Sequence, residues 1–171
     1  MNPKFSGPGN AHRRAVYRGC GYSAADTRSG PHIGVACAWS ECSPGHFHLR
    51  QVAEAAKNGV WQAGGVPFEF GVPSTCGNVA LGHVNLRYEL VLRDIVAACV
   101  EAVSRVHLFD GLVLLSSCDN IIPGEILGAI RLDVPSIMVT GGPMLPGRAL
   151  GRKTVLPDVN EAVYGHWRQG P

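Results

Sequence analysis

From residue 33 to residue 140 the chain alternates between short apolar runs and longer stripes at helical spacing. That alternation restricts the fold more than any other feature. Ile33-Gly34-Val35-Ala36-Cys37-Ala38 is an apolar run of strand length. Leu49, Val52, Ala53, Ala56 and Val60 then recur on one helix face within 48–63. Gly64-Gly65 ends that helix. Val66-Pro67-Phe68-Glu69-Phe70 is a second strand, with Pro67 at its start or on a sheet edge. Residues 86–107 carry an apolar stripe of Leu92, Ile95, Val96, Cys99, Val103 and Val106, with Arg87, Glu89, Arg93, Asp94, Glu101 and Arg105 at the wetter positions. Leu112-Val113-Leu114-Leu115-Ser116 is apolar on both faces, the pattern of a strand covered from both sides. Pro123 suits the first turn of the next helix, which carries Ile126, Leu127, Ile130 and Leu132; Ser136–Thr140 is the fourth strand. The order β-α-β-α-β-α-β predicts an α/β fold. Its parallel sheet carries helices on both faces, reached through right-handed crossovers.

The flanks lack this pattern. Residues 1–31, rich in Gly, Ser, Asn and Arg, read as an N-terminal arm or loop; 32–147 form the α/β unit; 148–171 read as an irregular tail or truncated linker, with Arg148, Arg152 and Lys153 on its solvated surface. A chain of 171 residues can bury enough surface to fold without a staple. Lys plus Arg number 15 against 13 Asp plus Glu, which gives no electrostatic case for a nucleic acid or an anionic membrane as partner. Charged residues make up 16%, below the usual quarter, so part of the surface is expected to lie under a homodimer partner or a separate C-terminal chain. No apolar run approaches the roughly 18 residues of a membrane span, and the N-terminus has no signal-peptide core. The expected location is cytoplasmic. There the six cysteines, none in a C-x-x-C pair, are buried thiols, metal ligands or reactive groups.

In an open parallel sheet the site forms at the carboxyl ends of the strands. The loops there are Trp39–His46, Pro73–Asn78, Ser117–Asn120 and Gly141–Met144, and Cys42, Cys76 and Cys118 fall on three of them. Three thiolates on one rim suit an iron–sulfur cluster with one iron left open, or zinc with His46 or His83 as a fourth ligand. They also suit three unconnected small residues. Cys37 and Cys99 read as core. Asp119 is either a magnesium ligand or, with Asn120, a helix cap. Glu125 is a second carboxylate or a partner of the helix dipole. His46 stands close enough to a helix start to contact an anionic substrate, or is a plain loop residue. Gly141-Gly142 offers backbone N–H groups to a carboxylate or phosphate.

Taken together, these loops resemble the dihydroxy-acid dehydratase and 6-phosphogluconate dehydratase family of iron–sulfur hydro-lyases. The stretches are Ile33–Leu49 (IGVACAWSECSPGHFHL), Ala63–Phe70 (AGGVPFEF), Ala80–His83 (ALGH), Gly111–Gly124 (GLVLLSSCDNIIPG) and Leu132–Met144 (LDVPSIMVTGGPM), within a likeness running from about Arg14 to Gly147. The resemblance implies loss of water from a 2,3-dihydroxy acid to give a 2-keto acid, in amino-acid or sugar-acid metabolism. It implies a cluster iron that activates the leaving hydroxyl, with Cys118 as a cluster ligand and Asp119 as a magnesium ligand.

Three departures stand out. Asn120 occupies the place of the family's modified lysine, a magnesium ligand. Gly77 opens Gly77-Asn78-Val79-Ala80-Leu81-Gly82-His83 where the family's D-G-I-A-M-G-H supplies a magnesium aspartate. Gly45 stands where members with a first-loop cysteine carry it, and Cys42 lies three residues earlier. These departures predict a weakened or absent magnesium site and a cluster of two or four irons held by Cys42, Cys76 and Cys118. The family's later cysteine motif and C-terminal domain lie beyond Pro171. The expected function is therefore a hydro-lyase or its N-terminal cluster-binding part. The alternatives are an inactive relative serving as a binding or regulatory domain, and an unrelated α/β enzyme using Cys118 as nucleophile.

Overall fold

The computed structural model describes residues 2–149 and 151–169. Two short helices come first, α1 (Ala11–Gly19) and α2 (Asp26–Ser29). The alternating region follows as β1 (His32–Cys37), α3 (Leu49–Gln62), β2 (Val66–Gly71), α4 (Tyr88–His107), β3 (Gly111–Ser116), α5 (Ile121–Leu132) and β4 (Ser136–Thr140). The four strands pair in parallel in the order β2-β1-β3-β4. The element order and the parallel sheet are those the periodicity predicts.

β1 and β3 are the inner strands, so both of their faces must be covered. Val35, Cys37, Val113 and Leu115 point to one face, where Leu49 and Ala53 of α3 seal them from water. Ala36, Leu112 and Leu114 point to the other, against Val96 and Val100 of α4 and Ile121 and Ala129 of α5. Among the described residues β4 has one neighbour strand, and Ile137 and Val139 on it are exposed.

The buried stripe of α4 differs from the predicted one. Val96, Ala97 and Val100 are enclosed, whereas Ile95 and Val106 are 51% and 76% exposed. The reason lies in α5. A Cβ added at Gly124 would stand 2.8 Å from the Arg93 backbone oxygen, and one at Gly128 would stand 2.8 Å from that of Ala97. Two glycines one turn apart let α5 press onto the Arg93–Ala97–Val100 side of α4, and the Ile95 side is left outside.

The N-terminal segment expected as an extended arm or loop is largely helical. Its aromatic residues carry the fold: Phe5 and Tyr17 are buried with His32 and Phe68, at ring separations of 4.1–5.9 Å. Asp110 ties the segment to the amino-terminal edge of the sheet. Its carboxylate accepts from Lys4 Nζ (2.6 Å), Asn2 Nδ2 (3.0 Å) and the His32 N–H (2.8 Å). Isolated aromatics in a Gly- and Arg-rich stretch have no period to reveal this. At the other end, the expected irregular tail contains an antiparallel hairpin, β5 (Gly147–Ala149) with β6 (Arg152–Thr154), and a helix, α6 (Leu156–Gln169). Gly170 and Pro171 lie outside the described residues. Among the described residues no helix is long and apolar enough to cross a membrane.

Candidate functional site

The strand order places the connections leaving β1 and β3 on opposite sides of the sheet. A crevice opens between such connections at the carboxyl ends of the strands. Here it holds a cavity of about 560 Å³ walled by Ser43, Gly45, Cys76, Ser117, Cys118 and Gly142, from loops following all four strands. An adjoining cavity of about 450 Å³ is lined by Cys42, Cys76, Gly77, Glu89, Leu92 and Ile95. Cys76 belongs to both walls.

The floor is built by close backbone approach. A Cβ on Gly45 would overlap the Ser117 hydroxyl, and one on Gly141 would overlap the Gly45 carbonyl oxygen. The Ser117 hydroxyl donates to the Gly142 carbonyl (3.0 Å). His46 is fully enclosed beneath these loops, and its Nε2 accepts the Ser117 N–H (3.0 Å). The ring proton therefore sits on Nδ1. Burial, with His48 adding to it, lowers the pKa of His46. His46 thus does not line either cavity: the expected substrate contact is a support for the β3 loop. Gly141 changes role in the same way, because its N–H is bonded to the Ser116 carbonyl (2.9 Å) and is not offered to an anion. Gly142, at φ 82°, is the glycine of that pair on the cavity wall.

Cys118 adopts φ 75°, a left-handed conformation for a residue with a side chain. Such a position costs about 1–3 kcal/mol and persists only where its surroundings impose it. It turns the chain sharply from β3 into α5 and sets the thiol on the cavity wall. The thiol donates to Asp119 Oδ1 (3.3 Å), and burial, reinforced by that carboxylate, raises its pKa. Asn120 is the residue before α5 but makes no side-chain cap bond; its Oδ1 accepts from Arg93 Nη2 instead. The capping alternative is therefore not what holds Asp119 and Asn120.

The other candidates fall elsewhere. Glu125 is fully buried one turn into α5, where its Oε2 accepts the Ser116 hydroxyl (2.8 Å). Burial in apolar surroundings pushes its pKa up to about 8. It is a core carboxylic acid, neither a cavity carboxylate nor a dipole partner. His83 is exposed, its Nδ1 takes the Asn85 N–H (3.1 Å), and it lines neither cavity. Cys37 is buried, and Cys99 directs its thiol to the Gly71 carbonyl (3.9 Å).

One residue escaped the sequence reading. Glu89, placed there among the wetter positions of α4, brings a carboxylate oxygen to Cys118 and Asp119. These ligand atoms lie within 4.8 Å of one another, the one such group of three among the described residues. Glu89 Oε1 is buried without a hydrogen-bond partner. A Cβ on Gly77 would overlap the same carboxylate. A missing side chain at 77 was visible in the sequence; the carboxylate that fills its space, twelve positions later on a helix, was not.

The donors suit the groups that the resemblance implies. Half-buried Cys76 and Cys118 and exposed Cys42 are thiols on two adjoining cavities, the donor type of an iron–sulfur cluster. The orphaned oxygen of Glu89 and the carboxylate of Asp119 are hard donors of the kind magnesium takes.

Comparison with known proteins gives the chain's family. The profile of the dihydroxy-acid/6-phosphogluconate dehydratase N-terminal family matches residues 30–170. A dihydroxy-acid dehydratase of Methanococcus vannielii is 48% identical over 157 residues, which is 92% of this chain and 28% of that protein. One from Methanothermobacter thermautotrophicus is 48% identical over 153 residues, 90% of this chain and 28% of the relative. The chain thus spans about 28% of the length of the curated relatives it matches. It belongs to the dihydroxy-acid/6-phosphogluconate dehydratase family, and corresponds to the N-terminal part of its members.

Proposed function

We propose that this chain is the cluster- and substrate-binding N-terminal part of a hydro-lyase that converts a 2,3-dihydroxy acid to a 2-keto acid and water. The observation that carries the reading is the meeting of Cys118, Cys76 and the Gly142 loop on one cavity at the switch point of the sheet. Its volume lies in the range of sites for small molecules, and a small hydroxy acid is the substrate class. Cys118, Cys76 and Cys42 would hold the iron–sulfur cluster. When bound, the cluster supplies an open iron as Lewis acid toward a departing hydroxyl.

The chain's own residues supply position. The left-handed turn at Cys118 fixes its thiol at the end of β3, and buried His46 holds the next N–H upstream, that of Ser117. Gly142 keeps one wall at backbone thickness, while Ile122, Val79 and Met144 make the lining largely apolar and limit water. The remaining length of the relatives points to further groups on the same or a separate chain, or on a second copy. Reduced thiols on an open rim fit a cytoplasmic setting.

The test is anaerobic purification followed by iron and sulfide analysis, with turnover assays on several dihydroxy and sugar acids. The expected protein is brown, contains iron and sulfide, and loses both on Cys118→Ser. A colourless, iron-free protein after careful reconstitution would defeat the proposal.

A further inference from the structure

We propose that Glu89 and Asp119 together hold a divalent cation, with Glu89 delivering from α4 the carboxylate that the loop at Gly77 lacks. The inference rests on the reading above that this edge of the sheet is the reaction site. Its own evidence is geometric.

Magnesium–oxygen bonds are about 2.0–2.1 Å, so ligands on opposite sides of the ion stand roughly 4.2 Å apart. The ligand atoms of Glu89, Cys118 and Asp119 all fall within 4.8 Å, which leaves a small adjustment. Carboxylates are the hard donors of the three, so Mg²⁺ or Mn²⁺ with several waters is the matching class.

Among the described residues no protein cation satisfies the pair. Arg93 is four residues further along α4, but its guanidinium donates to Asn120, and among the described residues it makes no ion pair with Glu89. Asp119 receives only the Cys118 thiol, while Glu89 Oε1 is buried with no donor at all. Carboxylates this close repel one another unless a positive charge stands between them.

The platform is rigid. Gly124 and Gly128 seat α5 on α4 at backbone distance, so the start of α4, with Glu89, is held against the turn that carries Asp119. Glu89 also fills the space over Gly77. A side chain at 77 would displace the Glu89 carboxylate from there, and the resemblance places a magnesium aspartate at 77. One carboxylate has been exchanged for another that reaches the same space from a different element.

The test reads Mn²⁺ binding to the full chain by electron paramagnetic resonance, in competition with Mg²⁺ and without iron. Circular dichroism on each variant checks folding. One Mn²⁺ site is expected. Glu89→Gln and Asp119→Asn should each weaken it roughly tenfold or more, the scale of losing a ligand or its support. Gly77→Asp combined with Glu89→Ala should recover most of the affinity, because the new carboxylate enters the vacated space. A folded wild-type chain that binds no Mn²⁺, or a Glu89→Gln variant that binds like the wild type, overturns the proposal. Cluster content is measured on separate reconstituted samples. Loss of the cluster with Mn²⁺ binding intact would strike the hydro-lyase reading and leave this one standing; the reverse result strikes this one alone.

Discussion

Glu125→Gln should remove most of the fall in stability between pH 5 and pH 8. In the unfolded chain the carboxyl titrates near its ordinary 4.5, while in the folded protein burial holds the proton up to about 8. The native state therefore binds one more proton than the unfolded state across that window, and stability must decrease as pH rises. It is full below pH 4.5, declines by at most about 1.4 kcal/mol per pH unit, and levels off above pH 8. The whole gap is worth about 5 kcal/mol, of which about 3–4 kcal/mol falls between pH 5 and pH 8. That is a large share of a domain's typical 5–15 kcal/mol. Glutamine keeps the shape, and its carbonyl can still accept from the Ser116 hydroxyl. Urea unfolding of both proteins at half-unit pH steps supplies the comparison. With a slope of about 2 kcal/mol per molar, the wild-type midpoint should drop by nearly 2 M relative to the variant. His32 and His46, both lowered chiefly by burial, act with the opposite sign: their contribution is present above the ordinary 6.5 and is lost as pH falls. They are common to both proteins and cancel in the difference. Parallel profiles for the two proteins would refute the buried-acid argument.

Three further substitutions, at two positions, and one labelling experiment test the rest of the architecture. Gly128→Ala places a methyl group 2.8 Å from the Ala97 backbone oxygen and from Val100 Cβ. It should cost about 1–3 kcal/mol by pushing α5 off α4, and weaken Mn²⁺ binding by moving Asp119 away from Glu89; unchanged urea midpoint and affinity would contradict the close-packing account. His46→Ala leaves the buried Ser117 N–H without its acceptor and should cost at least about 1–3 kcal/mol, with partial recovery in His46→Gln, both read by urea denaturation. Exposed Cys20 and Cys42 should react with iodoacetamide before buried Cys37, whose pKa burial also raises. Peptide mass spectrometry gives the order, and early labelling of Cys37 would show that the α3 face is not sealed.

The sheet was legible because each strand announced itself locally. Leu112–Leu115 are apolar on both faces whatever lies beyond, and four such runs separated by helical stripes leave few arrangements other than a parallel sheet with its loops at one edge. Cys118, Cys76 and Gly142 could be assigned to that edge for the same reason. The aromatic residues of the first 31 positions were not legible, since Phe5 and Tyr17 share no period and gain meaning only against His32 and Phe68. His46 and Gly141 fall on the loops where they were read, but the ring lies beneath those loops and the Gly141 N–H is already bonded. Enclosure of a ring, or capture of an N–H by Ser116, depends on how three loops stack. Glu89 shows the limit most sharply. Its place on α4 followed from spacing, but its meeting with Asp119 thirty positions later depends on the distance between two helix axes. Gly124 and Gly128 set that distance by having no side chains, and an absent atom acts only on the neighbour that the fold brings to it.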